Sequence, residues 1–151
     1  EAGVGWRMVG GSLEARGSEA FQLVLDSARE SLQSEKTQTA MQEISEAVRD
    51  LSRRPAPDLT GAVQHGMAAL ECIAREVAGD RRATLGDIIK RYPNLFPKPL
   101  DEAISRMWGF ASGVGRHLQE GRQPEQAEAE LVVGIAAVAC NYLRYKLEGD
   151  V

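Results

Sequence analysis

Apolar residues recur at helical spacing over most of the chain, and only the N-terminal stretch has a different pattern. Six segments carry apolar positions three or four residues apart, which places them on one face of a helix. They predict helices over about residues 18–32, 35–52, 58–78, 84–91, 100–115 and 124–147. Proline-containing loops separate several of them, because proline cannot continue a helix. The end of the fifth helix is the least defined boundary, since Gly109, Gly113 and Gly115 all fall there.

Residues 5–16 have the pattern of a small β-hairpin instead. Trp6, Met8 and Leu13 are typical of strands, and Gly10-Gly11 can supply the positive φ angles of a tight turn. Two short strands are not stable alone, so we expect them to pack against the helical body or against upstream sequence. The sequence therefore predicts an all-α bundle of five to six helices with a small N-terminal β-hairpin.

The last helix has the most apolar centre, residues 131–140, and is hydrophobic on nearly every face, as a central helix should be. We predict that close approach of a neighbouring helix compensates for Gly134 inside it. The small residues Gly134, Ala136, Ala137 and Ala139 are expected to pair with a second copy. The residues predicted to be buried together are Leu70, Ile73, Ile104, Trp108, Ile135, Val138 and Tyr142.

Composition narrows the class of protein. The 151 residues are 43% apolar and 26% charged, as in ordinary globular domains, and the net charge of −4 argues against a broad nucleic-acid-binding surface. A local basic groove remains compatible with that charge. No segment has the pattern of a signal peptide, and the longest apolar run is about half of a membrane span, so we expect a cytoplasmic domain without membrane contact. Because the chain begins without Met, residues 1–17 are interpreted as a hairpin and linker from a longer protein, followed by a helical domain over 18–151.

Neither a metal nor a cofactor is predicted. Cys72 and Cys140 both fall in apolar helical patterns, which favours buried free thiols. Two cysteines and two histidines without close ligand spacing make a zinc site unfavourable.

Arg116 and His117 are the strongest candidates for chemistry. His117 could move a proton near neutral pH, and Arg116 could stabilise charge on a phosphate, which together would suit metal-independent phosphodiester cleavage. Adjacent residues on a regular helix point about 100° apart, so both can serve one site only where the backbone is irregular, as Gly113 and Gly115 would allow. The structural alternative is a helix-end ion pair for Arg116 and a hydrogen bond to a carbonyl or carboxylate for His117.

Other candidates have a functional and a structural interpretation. His65 is interpreted as a packed or interface residue on the third helix. Trp108 and Phe110 could stack on bases, but their helical spacing favours the core. Basic pairs flank the fourth helix and could contact phosphates, although such pairs are more often solvated; they are Arg81-Arg82 and Lys90-Arg91.

Four motifs in order resemble a known family. Residues 61–72, with Ala69-Leu70-Glu71, are similar to the "S/A-x-x-A-L-E" helix of bacterial abortive-infection C-terminal domains. Residues 84–89 resemble its "T-L-G-x-h-h" element, and residues 100–110 its helix ending in "L-W-G-Y-A-S". Arg116-His117 with the later Glu130-Leu131 and Asn141-Tyr142-Leu143 resembles its "R-H-G … E-A-x-x-h-h … Y-L" ending. The match covers about residues 58–147.

The resemblance implies a role in phage defence and places the chain in or near the HEPN superfamily. Such helical bundles often dimerise, and some are metal-independent ribonucleases. Glu71, in the family's helix motif, would then anchor Arg116 or orient His117, its alternative being a structural carboxylate. The active nucleases separate Arg from His by several residues, whereas Arg116 and His117 are adjacent, and Leu118 stands where the motif has glycine.

Two classes of function therefore stay open. The first is a non-catalytic HEPN-like module that forms a homodimer or signals to an upstream domain of the same polypeptide. The second is a metal-independent ribonuclease that cleaves RNA through Arg116 and His117, with Glu71 in support. The adjacent spacing and the acidic net charge favour the first, and the Arg-His pair near the glycines favours the second.

Overall fold

A bundle of helices with a small hairpin forms the fold, which confirms the predicted class. The computed structural model describes residues 5–116 and 122–149, with the backbone alone for residues 115 and 116. Two strands, β1 (Trp6–Val9) and β2 (Ser12–Ala15), precede the helices. The helices within the described residues are α1 (Glu19–Ser31), α2 (Gln38–Ser52), α3 (Leu59–Ala78), α4 (Leu85–Arg91), α5 (Leu100–Arg116) and α6 (Gln126–Glu148).

The hairpin pairs its strands in antiparallel register, with Trp6 opposite Ala15 and Val9 opposite Ser12. Gly10 and Gly11 form the turn with φ angles of 53° and 82°, as the sequence predicts. Both angles lie in the left-handed region, which residues with a Cβ atom rarely adopt. A two-residue turn of this kind matches the twist of the strands.

Ion pairs hold the hairpin on α1. Arg7 donates two hydrogen bonds to Asp26, at 2.8 and 3.0 Å, and Arg29 donates one to the buried Glu14 at 2.6 Å. The backbone N–H of Ala15 also donates to Ser52 Oγ at the end of α2. The predicted support for the hairpin therefore comes from α1 and α2.

Local capping fixes several helix starts. Ser18 Oγ accepts from the N–H of Phe21 at the start of α1, and Thr84 Oγ1 accepts from that of Asp87 at the start of α4. Glu125 and Glu128 form a reciprocal capping box at the start of α6. Each side chain satisfies an N–H group that the helix itself cannot pair.

The core lies where α3 and α6 cross, with α2 against both. Leu70, Ile73 and Ile104 are buried as predicted, whereas Trp108 and Tyr142 are only partly buried. Two predictions are wrong, because Ile135 and Val138 are 39% and 52% exposed. The face of α6 that packs inward instead carries Val132, Val133, Ala136, Ala137, Cys140 and Leu143.

The small residues of α6 also lie elsewhere than predicted. Ala136, Ala137 and Ala139 are buried within the chain, so they are not free to pair with a second copy. The close helix approach is at Gly66 of α3, where a Cβ would lie 3.3 Å from Val133 Cγ2. A Cβ on Gly134 would meet the Phe21 ring at the ordinary distance of 3.5 Å. Small residues thus let α6 sit close to α3.

None of the helices that the structure describes is both long and apolar enough to cross a membrane.

Candidate functional site

Of the predicted catalytic pair, only the backbone of Arg116 lies within the described part of α5. The sequence predicts loosened backbone at the glycines, but α5 continues as regular helix through Gly109 and Gly113 as far as Arg116, the last residue described before the gap. The side chain of Arg116, and His117 as a whole, lie outside the described residues. A cavity of about 330 Å³ adjoins this part of α5, lined by Gly109, Phe110, Gly113, Val114, Arg122 and Pro124.

Glu71 has structural partners on both carboxylate oxygens. Oε2 accepts from the backbone N–H of Leu85 at 2.8 Å, and Oε1 lies 2.6 Å from Nη2 of Arg75. Leu85 is the first residue of α4, whose N–H groups have no partner inside the helix. Glu71 therefore ties α3 to the start of α4, as its structural interpretation predicts.

An exposed apolar surface runs along α6. Its centre is the outer face, which we define as Leu131, Ile135 and Val138, with exposed fractions of 62%, 39% and 52%. These residues are spaced four and three apart, so they form one ridge on the helix. Exposed apolar residues that occur singly are normal, whereas these three are contiguous on one face of the helix.

Apolar grooves lie on both sides of the outer face. The groove between α1 and α6 has a volume of about 470 Å³, and its walls include Ala20, Phe21, Val24 and Gly134. The groove between α5 and α6 has a volume of about 500 Å³, and its walls include Leu100, Ile104, Met107 and Phe110. Leu131 and Ile135 line both, so the ridge separates two depressions.

Charged groups occur at the N-terminal end of this surface. Arg122 donates to Glu128 at 2.7 Å, and that hydrogen bond holds the pKa of Glu128 below its usual range. Glu128 also accepts from the backbone N–H of Glu125. These carboxylates are therefore engaged in starting α6, and the outer face itself carries no charge.

His65 lies between two carboxylates of α2. Its Nδ1 is 2.7 Å from Glu43 Oε2, and its Nε2 is 3.6 Å from Asp50 Oδ2. The side chain is 39% exposed. Both ring nitrogens face the protein's own carboxylates, so the imidazole is placed to join α2 to α3 rather than to act on a substrate.

Asp50 is a carboxylate with little solvent contact. Its side chain is 2% exposed, Arg53 Nε lies 2.9 Å from Oδ1, and Gly61 leaves the space that Oδ2 occupies. Burial raises the pKa of Asp50, and the nearby Arg53 and His65 oppose that shift. The cause is desolvation, which disfavours the charged form.

Both cysteines are free, as predicted, with Cys140 buried and Cys72 half-buried. Burial raises the pKa of each thiol. The thiolate is the reactive form of cysteine, so neither side chain is set up as a nucleophile.

The other candidates are placed as follows. Trp108 packs partly buried against α4, within 3.4 Å of the position of a Cβ on Gly86. Phe110 is 37% exposed and lines the groove beside α6. Arg91 forms an ion pair with Asp80 at 3.2 Å.

Within residues 5–116 and 122–149, no cluster of three or more His, Cys, Asp or Glu side chains is arranged to hold a metal ion.

No protein-family model, curated protein or solved structure matches the chain. The resemblance to abortive-infection domains thus rests on the four sequence motifs.

Sequence reasoning missed the outer face as an exposed surface. Because residues 131–140 are apolar on nearly every face, no periodicity distinguishes the buried side from the exposed one. The alternation of small and large side chains was the available signal, since Ala136, Ala137 and Cys140 face inward and Leu131 and Ile135 face outward.

Proposed function

We propose that this chain is a HEPN-like helical module of a bacterial phage-defence protein, of the abortive-infection type, and that it acts by pairing with a second copy of itself. The four motifs support the family, and the outer face of α6 supports the pairing. Signal transfer to an upstream domain of the same polypeptide is the role that such a pair would serve. The single observation that carries the proposal is the uncharged ridge between two apolar grooves.

The shape of this surface favours a second copy as its occupant. A symmetric pair brings the same patch of each protomer together, so that patch must contain both the part that projects and the part that receives it. Here the ridge of Leu131, Ile135 and Val138 projects, and the flanking grooves can receive the ridge of the other copy. Ridge-into-groove contacts are the ordinary way in which helices pack.

The outer face extends from Leu131 to Val138, which is about 10 Å along α6. Specific interfaces bury roughly 800 Å² per partner, so the pair must bury both flanking grooves as well as the ridge. Uncharged residues at the centre and charged ones at the edge are typical of such interfaces.

Sedimentation velocity over a concentration series tests the pairing. We expect the unaltered chain to sediment as a dimer and Ile135→Glu to sediment as a monomer, because a carboxylate at the centre of the interface would be buried without a partner. Leu23→Glu is the matched control, since Leu23 is 65% exposed on α1 and lines neither groove. A monomer at all concentrations, or an Ile135→Glu variant that stays dimeric, would refute the proposal.

A ribonuclease that acts through Arg116 and His117 is the second candidate. The cavity beside the end of α5, with Arg122 in its wall, is the observation in its favour. Cleavage would then resist EDTA and leave a cyclic phosphate, and His117→Ala would lower the rate by about 10²–10⁴ without loss of stability. If the unaltered chain and His117→Ala cleaved RNA at the same rate, this candidate would be excluded.

A further inference from the structure

A basic and aromatic surface lies between α4 and α5, away from the outer face of α6. From Ile88 to Leu100 the chain carries Lys90, Arg91 and Lys98 and no carboxylate, although the whole protein has a net charge of −4. Lys146, near the end of α6, joins this surface through a hydrogen bond from Nζ to the backbone oxygen of Asn94 at 2.9 Å. Three of the chain's four lysines thus belong to one region.

Two adjoining cavities are built into this surface, and they share Asn94 and Lys146. The first, of about 410 Å³, is lined by Val77, Ala78, Tyr92, Asn94, Leu95, Lys146 and Gly149. The second, of about 370 Å³, is lined by Pro93, Asn94, Pro97, Lys98, Tyr142 and Lys146. Both volumes are in the range of small-molecule sites, and among the described residues no carboxylate lines either cavity.

The ammonium of Lys146 is held in place. It lies 5.5 Å from the centre of the Tyr142 ring, which in turn stacks on Phe96 with 5.6 Å between the ring centroids. The hydrogen bond to Asn94 is the one that Lys146 forms with the described residues, and it uses one of the three N–H groups of the ammonium. Lys98 is exposed and forms no ion pair with any described residue. Two cations therefore border the second cavity, and no described carboxylate forms an ion pair with either.

The first cavity differs from the second in its chemistry. Tyr92 is 37% exposed, and Val77, Ala78 and Leu95 provide apolar walls beside it. An exposed tyrosine ring with apolar neighbours suits a planar base, because every base has a face that can stack. Lysine ammonium groups bind phosphate as point charges. The two cavities thus offer a stacking surface and an anion site joined through Lys146.

We propose that these cavities bind a nucleoside phosphate, with the base against Tyr92 and the phosphate between Lys98 and Lys146. The source is either a free nucleotide or one nucleotide of single-stranded RNA, which present the same chemistry. This site does not involve Leu131, Ile135 or Val138. Failure of the pairing and failure of nucleotide binding are therefore separate results.

Titration of the isotope-labelled full chain with adenosine 5′-monophosphate, followed by NMR, tests the site. We expect saturable shifts at residues 92–98 and 146, and weaker binding of adenosine alone and of inorganic phosphate alone. Lys98→Gln should weaken nucleotide binding about fivefold, the effect of losing one charge-assisted contact at an exposed site. Lys36→Gln, which removes a lysine elsewhere on the surface, should leave it unchanged. Tyr92→Leu should weaken binding of the nucleotide and not of phosphate.

A single-stranded RNA octamer distinguishes the two sources. Binding that is at least about tenfold tighter than that of the mononucleotide, and that falls with salt, identifies RNA. Equal affinity identifies a free nucleotide. The absence of saturable shifts with every probe, or equal losses for Lys98→Gln and Lys36→Gln, would overturn the proposal.

Discussion

Gly66 of α3 faces Val133 of α6 so closely that a Cβ at position 66 would lie 3.3 Å from Val133 Cγ2 and 3.4 Å from Val133 Cα. The second distance is to backbone, which cannot rotate away. This contact sets how near the two central helices lie, and it orients α6 so that Leu131, Ile135 and Val138 face outward.

Gly66→Leu should therefore destabilise the fold. The added side chain must push α6 away from α3, and overpacking of this kind costs about 1–3 kcal/mol or more. Urea unfolding followed by circular dichroism measures the loss. Gly109→Ala is the matched control, because no described atom outside the adjoining backbone of α5 lies within 4 Å of its Cβ position and α5 gains a better helix former. We expect that variant to be more stable by about 1 kcal/mol.

The two faces of α6 should respond differently to truncation. Val133 is fully buried, so Val133→Ala should lower the free energy of unfolding by about 1–3 kcal/mol. Ile135→Ala should cost less than about 1 kcal/mol in a monomeric background such as Leu131→Glu, since Ile135 is 39% exposed in the single unaltered chain. Similar costs at both positions would show that the assigned orientation of α6 is wrong.

Asp26 should stabilise the hairpin in a pH-dependent way. The hydrogen bond from Arg7 lowers the pKa of Asp26, so its contribution is present above the ordinary carboxyl range and is lost as the pH falls through the lowered value. Asp26→Asn should thus be less stable than the parent at neutral pH. The difference should shrink as the pH falls below the ordinary carboxyl pKa near 3.8 and disappear once Asp26 is protonated in the folded protein. Thermal unfolding of both proteins across that range measures it.

Asp50 should show the opposite dependence. Burial raises its pKa, so the stability linked to its proton is full below the ordinary carboxyl pKa near 3.8 and is lost as the pH rises through the raised value. Asp50→Asn cannot ionise and escapes that loss. The stability of the variant relative to the parent should therefore improve from acid toward neutral pH, as measured by urea unfolding. A relative stability that worsens over this range would mean that Arg53 and His65 outweigh desolvation.

The helices were predictable because most are amphipathic and capped in recognisable ways. Leu25 and Ala28 of α1 and Leu32, which directly follows it, are buried as their spacing predicts, and Thr84 caps α4. The orientation of α6 was not predictable, because its side chains are apolar around the whole circumference and tertiary packing alone selects the inward face.

For the candidate site, the sequence predicted which helices carry the residues but not which side chains contact one another. The sequence singled out the end of α5 and Glu71, but Glu71 has both oxygens engaged at Arg75 and Leu85. Partners such as Glu43 for His65 are distant in sequence, and no local pattern links them. The cavities at Asn94 likewise combine α3, the loop before α5 and the end of α6.

Isotope-filtered NMR on an equal mixture of labelled and unlabelled chains tests the central claim most directly. In a symmetric pair, protons of one protomer come within nuclear Overhauser distance of the other only at the interface. We predict intermolecular signals from the methyl groups of Leu131, Ile135 and Val138 to residues of the flanking grooves, and their loss with Ile135→Glu. Intermolecular signals confined to other surfaces, or none at concentrations well into the micromolar range, would contradict pairing through α6.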